Sequence, residues 1–257
     1  MNTHPLLPKL RQLKLSGMLD TLDLRSEQAI GEQLSPIEFL ALLLDDELER
    51  RNQQRLALRL SQSGCDPQKT LAHFDFSARP GLNRGLITDL ASCVFISRHE
   101  NILMCGPTGT GKSHLSNAIA IEALKQDLRV FSRPLHRLLN ELQIARAKGA
   151  YSRVLARVIH CDLLVLDDFG LQTLTPTAIQ DLYQILADRY ESGSIIITSN
   201  RAFEEWHEVF ADELLASAAL DRLTHHTHLL VLSGDSFRQR ERRKEVLSNL
   251  NPTPFSS

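Results

Sequence analysis

At 257 residues the chain is long enough to bury a substantial core and lies near the upper limit for one domain. Its 42% hydrophobic and 23% charged residues are ordinary for a globular protein, which excludes fibrous and low-complexity classes. A formal net charge of −2 excludes a whole-molecule field that draws nucleic acid, so any such contact must rest on local patches.

Residues 1–64 read as a helical N-terminal domain. Its long stretch "SPIEFLALLLDDELERRNQQRLALRLSQSG" opens at Ser35, an N-cap, with Glu38 as the capping-box partner. Leu40, Leu43, Leu44, Leu48, Leu56 and Leu60 recur at spacings that suit one helix face, and Gly64 ends the run. A Pro/Gly-bearing connector spans 65–85. From 86 to 248 the rhythm changes to short apolar strands at 101–105, 128–132, 162–167, 194–199 and 228–232. Helices are expected between them at 111–125, 134–147, 151–160, 176–192 and 212–224. This alternation predicts an α/β fold: a five-stranded parallel sheet flanked by helices, with functional residues at the strand C-termini. The tail 249–257 is expected to be disordered.

The phosphate-binding loop pattern is met by Gly106-Pro107-Thr108-Gly109-Thr110-Gly111-Lys112-Ser113, with His114 following. A strand before it ("NILMC") and a helix after it supply the context that the pattern requires. Glycines at 106, 109 and 111 permit a tight turn whose amides face phosphate oxygens. The helix N-terminus adds its positive end. Lys112 then reaches the β- and γ-phosphates of ATP, and the Ser113 hydroxyl ligates Mg²⁺. In "DLLVLDDFG" a buried strand ends in two carboxylates. Asp167 suits Mg²⁺, and Asp168 suits orienting the attacking water. Asn200, at the tip of the fourth strand, either positions water or caps the following helix. Arg222 ends the helix before the fifth strand, ill placed for its own nucleotide. It reads as an arginine finger for a neighbouring copy, or as an ion-pair partner of Asp221.

Basic residues cluster locally despite the neutral total. Segment 132–160 holds Arg133, Arg137, Arg146, Lys148, Arg153 and Arg157 against the single acid Glu141. Arg51, Arg55 and Arg59 form an i, i+4, i+8 stripe, and Lys9, Arg11 and Lys14 a third patch. Such rows suit phosphate contacts, which bring affinity without sequence specificity. Solvated helix faces are the alternative. Apolar runs such as "FLALLL" (39–44) are too short to span a bilayer, and "MNTHPLLPKL" lacks the regions of a secretory signal. Cys65, Cys93, Cys105 and Cys161 follow no metal or redox spacing, so free thiols, a cytoplasmic location and no membrane partner are expected.

Together, "GPTGTGKS", "LLVLDD" (163–168), "TSN" (198–200) and "LDRL" (220–223) resemble the AAA+ ATPases. The chain is more specifically similar to the IstB-type transposition helper ATPases of insertion sequences. That resemblance is carried by "LKLSGM" (13–18), "SPIEFLALLLDDELERR" (35–51), "FDFSARPGLNR" (74–84), "LLNELQIARAKG" (138–149) and "LDRLTHH" followed by "GDSFRQRERR". It implies an ATP-bound homo-oligomer that assembles on duplex DNA, marks a target and stimulates a partner transposase. It further implies Asn200 as first sensor, Arg222 as finger and Arg238 as second sensor. The sequence departs from the pattern at Asp168, where AAA+ enzymes usually carry Glu, and at Phe237, where Tyr is common in the group. Little chain follows the fifth strand for a full helical lid. Helicase loaders of the DnaC type are the nearest alternative. A P-loop phosphotransferase acting on a metabolite is the alternative from another class, since it needs neither the Asn-tipped strand nor the finger.

Overall fold

The structure, a computed structural model, describes residues 5–79, 81–210, 213–234 and 236. By contact density the chain divides into two compact units, Met1–Arg59 and Leu60–Ser257.

The first unit contains α1 (Leu7–Gln12), α2 (Ser16–Gly31) and most of α3 (Pro36–Ser63), within which the division falls. The capping box forms as its spacing predicts: Ser35 N donates to Glu38 Oε2 at 2.7 Å, and Glu38 N to Ser35 Oγ at 3.3 Å. Met18, Leu22 and Leu43 make a small core, with Leu7, Leu10, Leu15 and Phe39 packed on it. The predicted leucine face is narrower than its spacing suggests. Leu43 turns inward to α2, whereas Leu40, Leu44 and Leu48 are 53%, 47% and 58% exposed. Nothing local caps α2. Its first amides are met instead by Glu47, whose Oε2 accepts from Gly17 N at 2.7 Å. Gly17 is required there, because a Cβ would stand 2.6 Å from the Asp46 carbonyl oxygen.

The second unit continues through a 3₁₀ turn (Leu71–His73), α4 (Arg84–Ala91) and α5 (Val94–Ser97) to β1 (Asn101–Cys105). There follow α6 (Lys112–Lys125), β2 (Val130–Pro134), α7 (Leu135–Ala147), α8 (Tyr151–Ile159) and β3 (Leu163–Phe169). The remainder is α9 (Pro176–Arg189), β4 (Ser194–Ser199), a 3₁₀ turn (Phe203–Val209), α10 (Glu213–Thr224) and β5 (Thr227–Val231). The strands lie in the order β2-β3-β4-β1-β5, all parallel. The α/β sheet predicted from the alternation is therefore the observed fold. β2 begins two residues later than its apolar run, because Asp127 adopts φ 66° and Leu128 N returns to the Ala123 carbonyl to close α6.

Inward residues of the central strands, among them Leu103, Leu164, Leu166, Ile195 and Ile197, form one cluster with α7, α9 and α10. Helix α6 contributes nothing to that cluster and lies against β2, β3 and β4 from the other face. One charged group is sunk at the N-terminal edge of the sheet. Arg189, 1% exposed, donates to the carbonyls of Val158, Ile159, Cys161 and Ser194. Periodicity gives no hint of it. All four cysteines are free and buried, and burial pushes the Cys93 and Cys105 thiols up to about 11. Among the described residues, no helix is long and apolar enough to cross a membrane.

Candidate functional site

The strand β1, the loop 106–111 and the helix α6 make the turn that the glycine spacing requires. Gly106, Gly109 and Gly111 sit at φ 142°, 83° and 96°. Side chains are also excluded by contact: a Cβ on Gly106 would lie 2.0 Å from the Leu232 carbonyl oxygen. The loop borders a cleft of about 510 Å³ at the C-terminal edge of the sheet, lined by Thr108 through His114 together with Asp167, Asp168 and Asn200. That volume falls within the range of small-ligand sites.

Lys112, 5% exposed, donates from Nζ to the carbonyls of Gly106 (2.7 Å) and Pro107 (2.9 Å) and to Asn200 Oδ1 (2.8 Å). Burial lowers its ammonium from the ordinary lysine value, with Asp167 and Asp168 acting in the opposite direction. The Asn200 amide therefore turns to the lysine at the floor of the cleft. Ser113 Oγ donates to Asp167 Oδ1 at 2.8 Å, and Thr198 Oγ1 donates to the same oxygen. Thr198 in turn accepts from Asp168 N at 3.2 Å. Asp168 stands at φ 59°, where β3 and β4 slip register between Leu166 and Phe169. A left-handed aspartate at the end of a buried strand is a local cost, and such conformations gather at functional sites. The adjacent Ser113 hydroxyl and Asp167 carboxylate are hard oxygen donors. They suit a divalent cation of the magnesium kind, which takes one or two protein oxygens and leaves the rest to phosphate and water.

Other expected residues lie elsewhere. Arg222 borders a separate cavity of about 230 Å³ with Asn101, Gly193, His225 and His226, at the N-terminal edge of the sheet. Its guanidinium donates to the Ala218 carbonyl at 2.7 Å and lies 5.3 Å from the Tyr183 ring, rather than pairing with Asp221. Arg238 and the tail 249–257 fall outside the described residues.

In the basic segment, three cations are engaged internally. Arg146 binds Asp181 at 2.6 Å, Arg133 the carbonyls of Ser63 and Ser132, and Arg157 the carbonyl of Gln62. Arg137, Lys148 and Arg153 are exposed, and their side chains make no hydrogen bond or ion pair among the described residues. On α3, Arg51 is held by Glu47 at 2.7 Å, while Arg55 is exposed and Arg59 half-buried.

Sequence reading missed one side of the cleft. Residues 66–79 run along the loop and α6. Asn117 Nδ2 donates to the carbonyls of Asp66 and Lys69, and His114 Nε2 to that of Thr70 at 2.8 Å. The Phe74 ring lies against Gly111, and Arg79 reaches the loop carbonyls. A connector rich in turn residues gives no pattern that would reveal these contacts.

A parallel β2-β3-β4-β1-β5 sheet with a phosphate loop after β1, two aspartates at the end of β3 and an asparagine after β4 defines an AAA+ nucleotide-binding protein. Solved structures agree at the level of fold. The DnaC helicase loader superposes with a TM-score of 0.50 at 22% identity, covering 58% of this chain and 86% of that one. Domain III of the Thermotoga maritima replication initiation protein DnaA gives 0.57 at 20% identity, covering 72% and 75%. The model of the IstB-like ATP-binding proteins matches residues 8–245, and the chain belongs to that family. An ATP-binding protein of insertion sequence IS21 from Pseudomonas aeruginosa is 36% identical over 253 residues, 98% of this chain and 96% of the relative. An insertion-sequence ATP-binding protein from Sinorhizobium fredii (strain NBRC 101917 / NGR234) is 39% identical over 244 residues, 95% and 100%. The chain is thus similar, over nearly its whole length, to ATP-binding proteins of insertion sequences.

Proposed function

We propose that the protein is a magnesium-dependent ATPase that assembles as an ATP-bound homo-oligomer on duplex DNA and stimulates a partner transposase. The observation that carries this reading is the division of the chemistry between the two edges of one sheet. Lys112, Ser113, Asp167, Asp168 and Asn200 meet in one cleft, whereas Arg222 borders a cavity at the opposite edge. Among the described residues the cleft holds no finger arginine of its own, and a second copy completes it.

In this mechanism the loop amides and Lys112 bind the phosphates, and Ser113 with Asp167 holds magnesium. A magnesium ion held by Ser113 and Asp167 would supply positive charge against the developing negative charge on the phosphates. Asp168 orients the attacking water and accepts its proton, and Asn200 fixes the Lys112 ammonium. Asp168 is one methylene shorter than the usual glutamate, which fits slow turnover and a long-lived assembly. Arg222 from the neighbour neutralises charge on the transferring phosphoryl group. Because ATP is contacted by two copies, it binds the oligomer more tightly than the monomer and promotes assembly, while hydrolysis promotes disassembly. Exposed Arg137, Lys148 and Arg153 are the strongest candidates for phosphate contacts with DNA, which suits weak sequence preference.

The test is complementation between inactive variants. Arg222→Ala should keep ATP binding and lose turnover, and Lys112→Ala should lose binding. Mixing the two restores phosphate release, because a Lys112→Ala subunit still presents its Arg222 to an intact cleft. Normal turnover by Arg222→Ala alone would remove the trans arrangement.

A further inference from the structure

Arg79 lines the cleft beside the phosphate loop, and its guanidinium is bound to the loop backbone. It is 5% exposed and donates from Nε to the Thr110 carbonyl at 2.9 Å and from Nη2 to the Gly109 carbonyl at 3.2 Å. Its third nitrogen, Nη1, donates to the Ala78 carbonyl at 3.2 Å. The preceding residues aim it. Asp75 Oδ1 accepts from Ser77 N at 3.0 Å and Ala78 N at 3.2 Å, a side-chain turn that brings the backbone across the loop. Chain from the other end of the unit closes the space behind. Gly234, at φ 105°, has room for no Cβ without one standing 3.0 Å from Arg79 Nη1.

In a trans peptide the C=O and N–H of one unit point in opposite directions. The Gly109 carbonyl shares its peptide with Thr110 N–H, and the Thr110 carbonyl shares its peptide with Gly111 N–H. Holding both carbonyls on Arg79 therefore turns both amides away from it and fixes their direction. A positive charge at the carbonyl end also polarises each amide, which strengthens its hydrogen bond to an anion. Arginine suits this position because its planar fork serves two acceptors at once and stays charged when buried. A lysine is a point charge and serves one acceptor well.

We propose that Arg79 is a positioning residue of the phosphate loop, one that orients and polarises the Thr110 and Gly111 amides for a bound diphosphate. The proposal rests on the reading of 106–113 as a nucleotide-phosphate site. It gives the segment 65–85, which lies wholly within the second unit, part of the anion-binding machinery, supplied from outside the loop motif.

The test uses the full chain, with ADP as the probe. Dissociation constants are measured by calorimetry for the parent, Arg79→Gln, Arg79→Lys and Lys112→Ala, alongside the melting midpoint of each unliganded protein and the ³¹P resonance of bound ADP. Arg79→Gln keeps a donor but not the charge, and weakens ADP binding by about tenfold or more, the scale of a lost charge-assisted bond. Arg79→Lys recovers part of that loss, and both variants move the β-phosphorus resonance. A role confined to folding would lower the midpoint and leave the resonance and the dissociation constant of the folded protein unchanged. ADP binding within about twofold of the parent, the scale of an unaffected site, with an unmoved resonance in Arg79→Gln overturns the proposal. If that variant does not fold, the same two readings on Arg79→Lys decide it. Tight ADP binding by Lys112→Ala overturns the phosphate-loop reading instead, so the two failures are distinguishable.

Discussion

Thr198 shows how single residues set this site. It is 1% exposed, and its hydroxyl spans Asp167, to which it donates, and the Asp168 amide, from which it accepts. One oxygen on β4 thereby fixes both aspartates of β3, and the left-handed Asp168 is held by its neighbours rather than by its own preference. The side chains here divide into those that bind and those that activate. Lys112→Ala removes the cation from the floor of the cleft, and nucleotide binding is lost in calorimetry. Asp168→Asn keeps shape and hydrogen bonding but cannot accept a proton. ATP binding then stays within about twofold while phosphate release falls by about 10² or more. The motif residues were legible in the sequence, because phosphate chemistry demands fixed spacing within a few positions. Arg79 was not, since its contact with Thr110 joins positions 31 residues apart through a turn.

Elements in this chain are tied by charged groups that no periodicity announces. Arg189, from the last turn of α9, ties carbonyls at the end of α8, before β3 and at the start of β4, and burial lowers its guanidinium from the ordinary value. Arg189→Leu leaves those carbonyls orphaned and should cost roughly 3 kcal/mol or more, read as a fall in the denaturation midpoint with ADP affinity retained. Glu47 plays a similar part in the first unit. Burial raises its carboxyl, but Arg51 and the Gly17 and Met18 amides outweigh that and leave it lowered. Its neighbour Asp46 is lowered first by its bond to Arg25. A carboxylate with a lowered folded value stabilises above its unfolded value and loses that contribution as pH falls through the folded one. Acidification below about pH 4 should therefore loosen α2 against α3, followed by amide exchange, and Asp46→Asn should flatten that dependence. The sheet itself was legible: the five strands fall within about two residues of the apolar runs, because buried parallel strands are continuous apolar segments bounded by turn residues. Helix capping from a distance was not, since α2 takes its cap from a residue 30 positions away.

At the scale of the molecule, the central feature is that the phosphate-loop cleft and Arg222 occupy opposite edges of one sheet. In the proposed assembly a single copy would hold ATP at the strand C-termini and offer Arg222 to a neighbour from their N-termini. Such a heterologous arrangement builds rings or helical filaments rather than closed two-fold dimers. The basic surface is correspondingly modest. Of the six cations in 132–160, three are spent on internal carbonyls and carboxylates, leaving Arg137, Lys148 and Arg153 outward. On the proposed reading, the three outward cations of 132–160 would give weak binding by one subunit, and many copies in register would multiply it. DNA binding should therefore depend on assembly, and assembly on ATP. The most direct measurement is particle mass on random-sequence duplex and on single-stranded DNA, with ATP, with ADP and with neither. Large assemblies on duplex in ATP alone, absent for Arg222→Ala, are the predicted result. Equal assembly in ADP or without nucleotide, or a strong preference for single strands, would contradict the account, and the latter would point to a helicase loader instead.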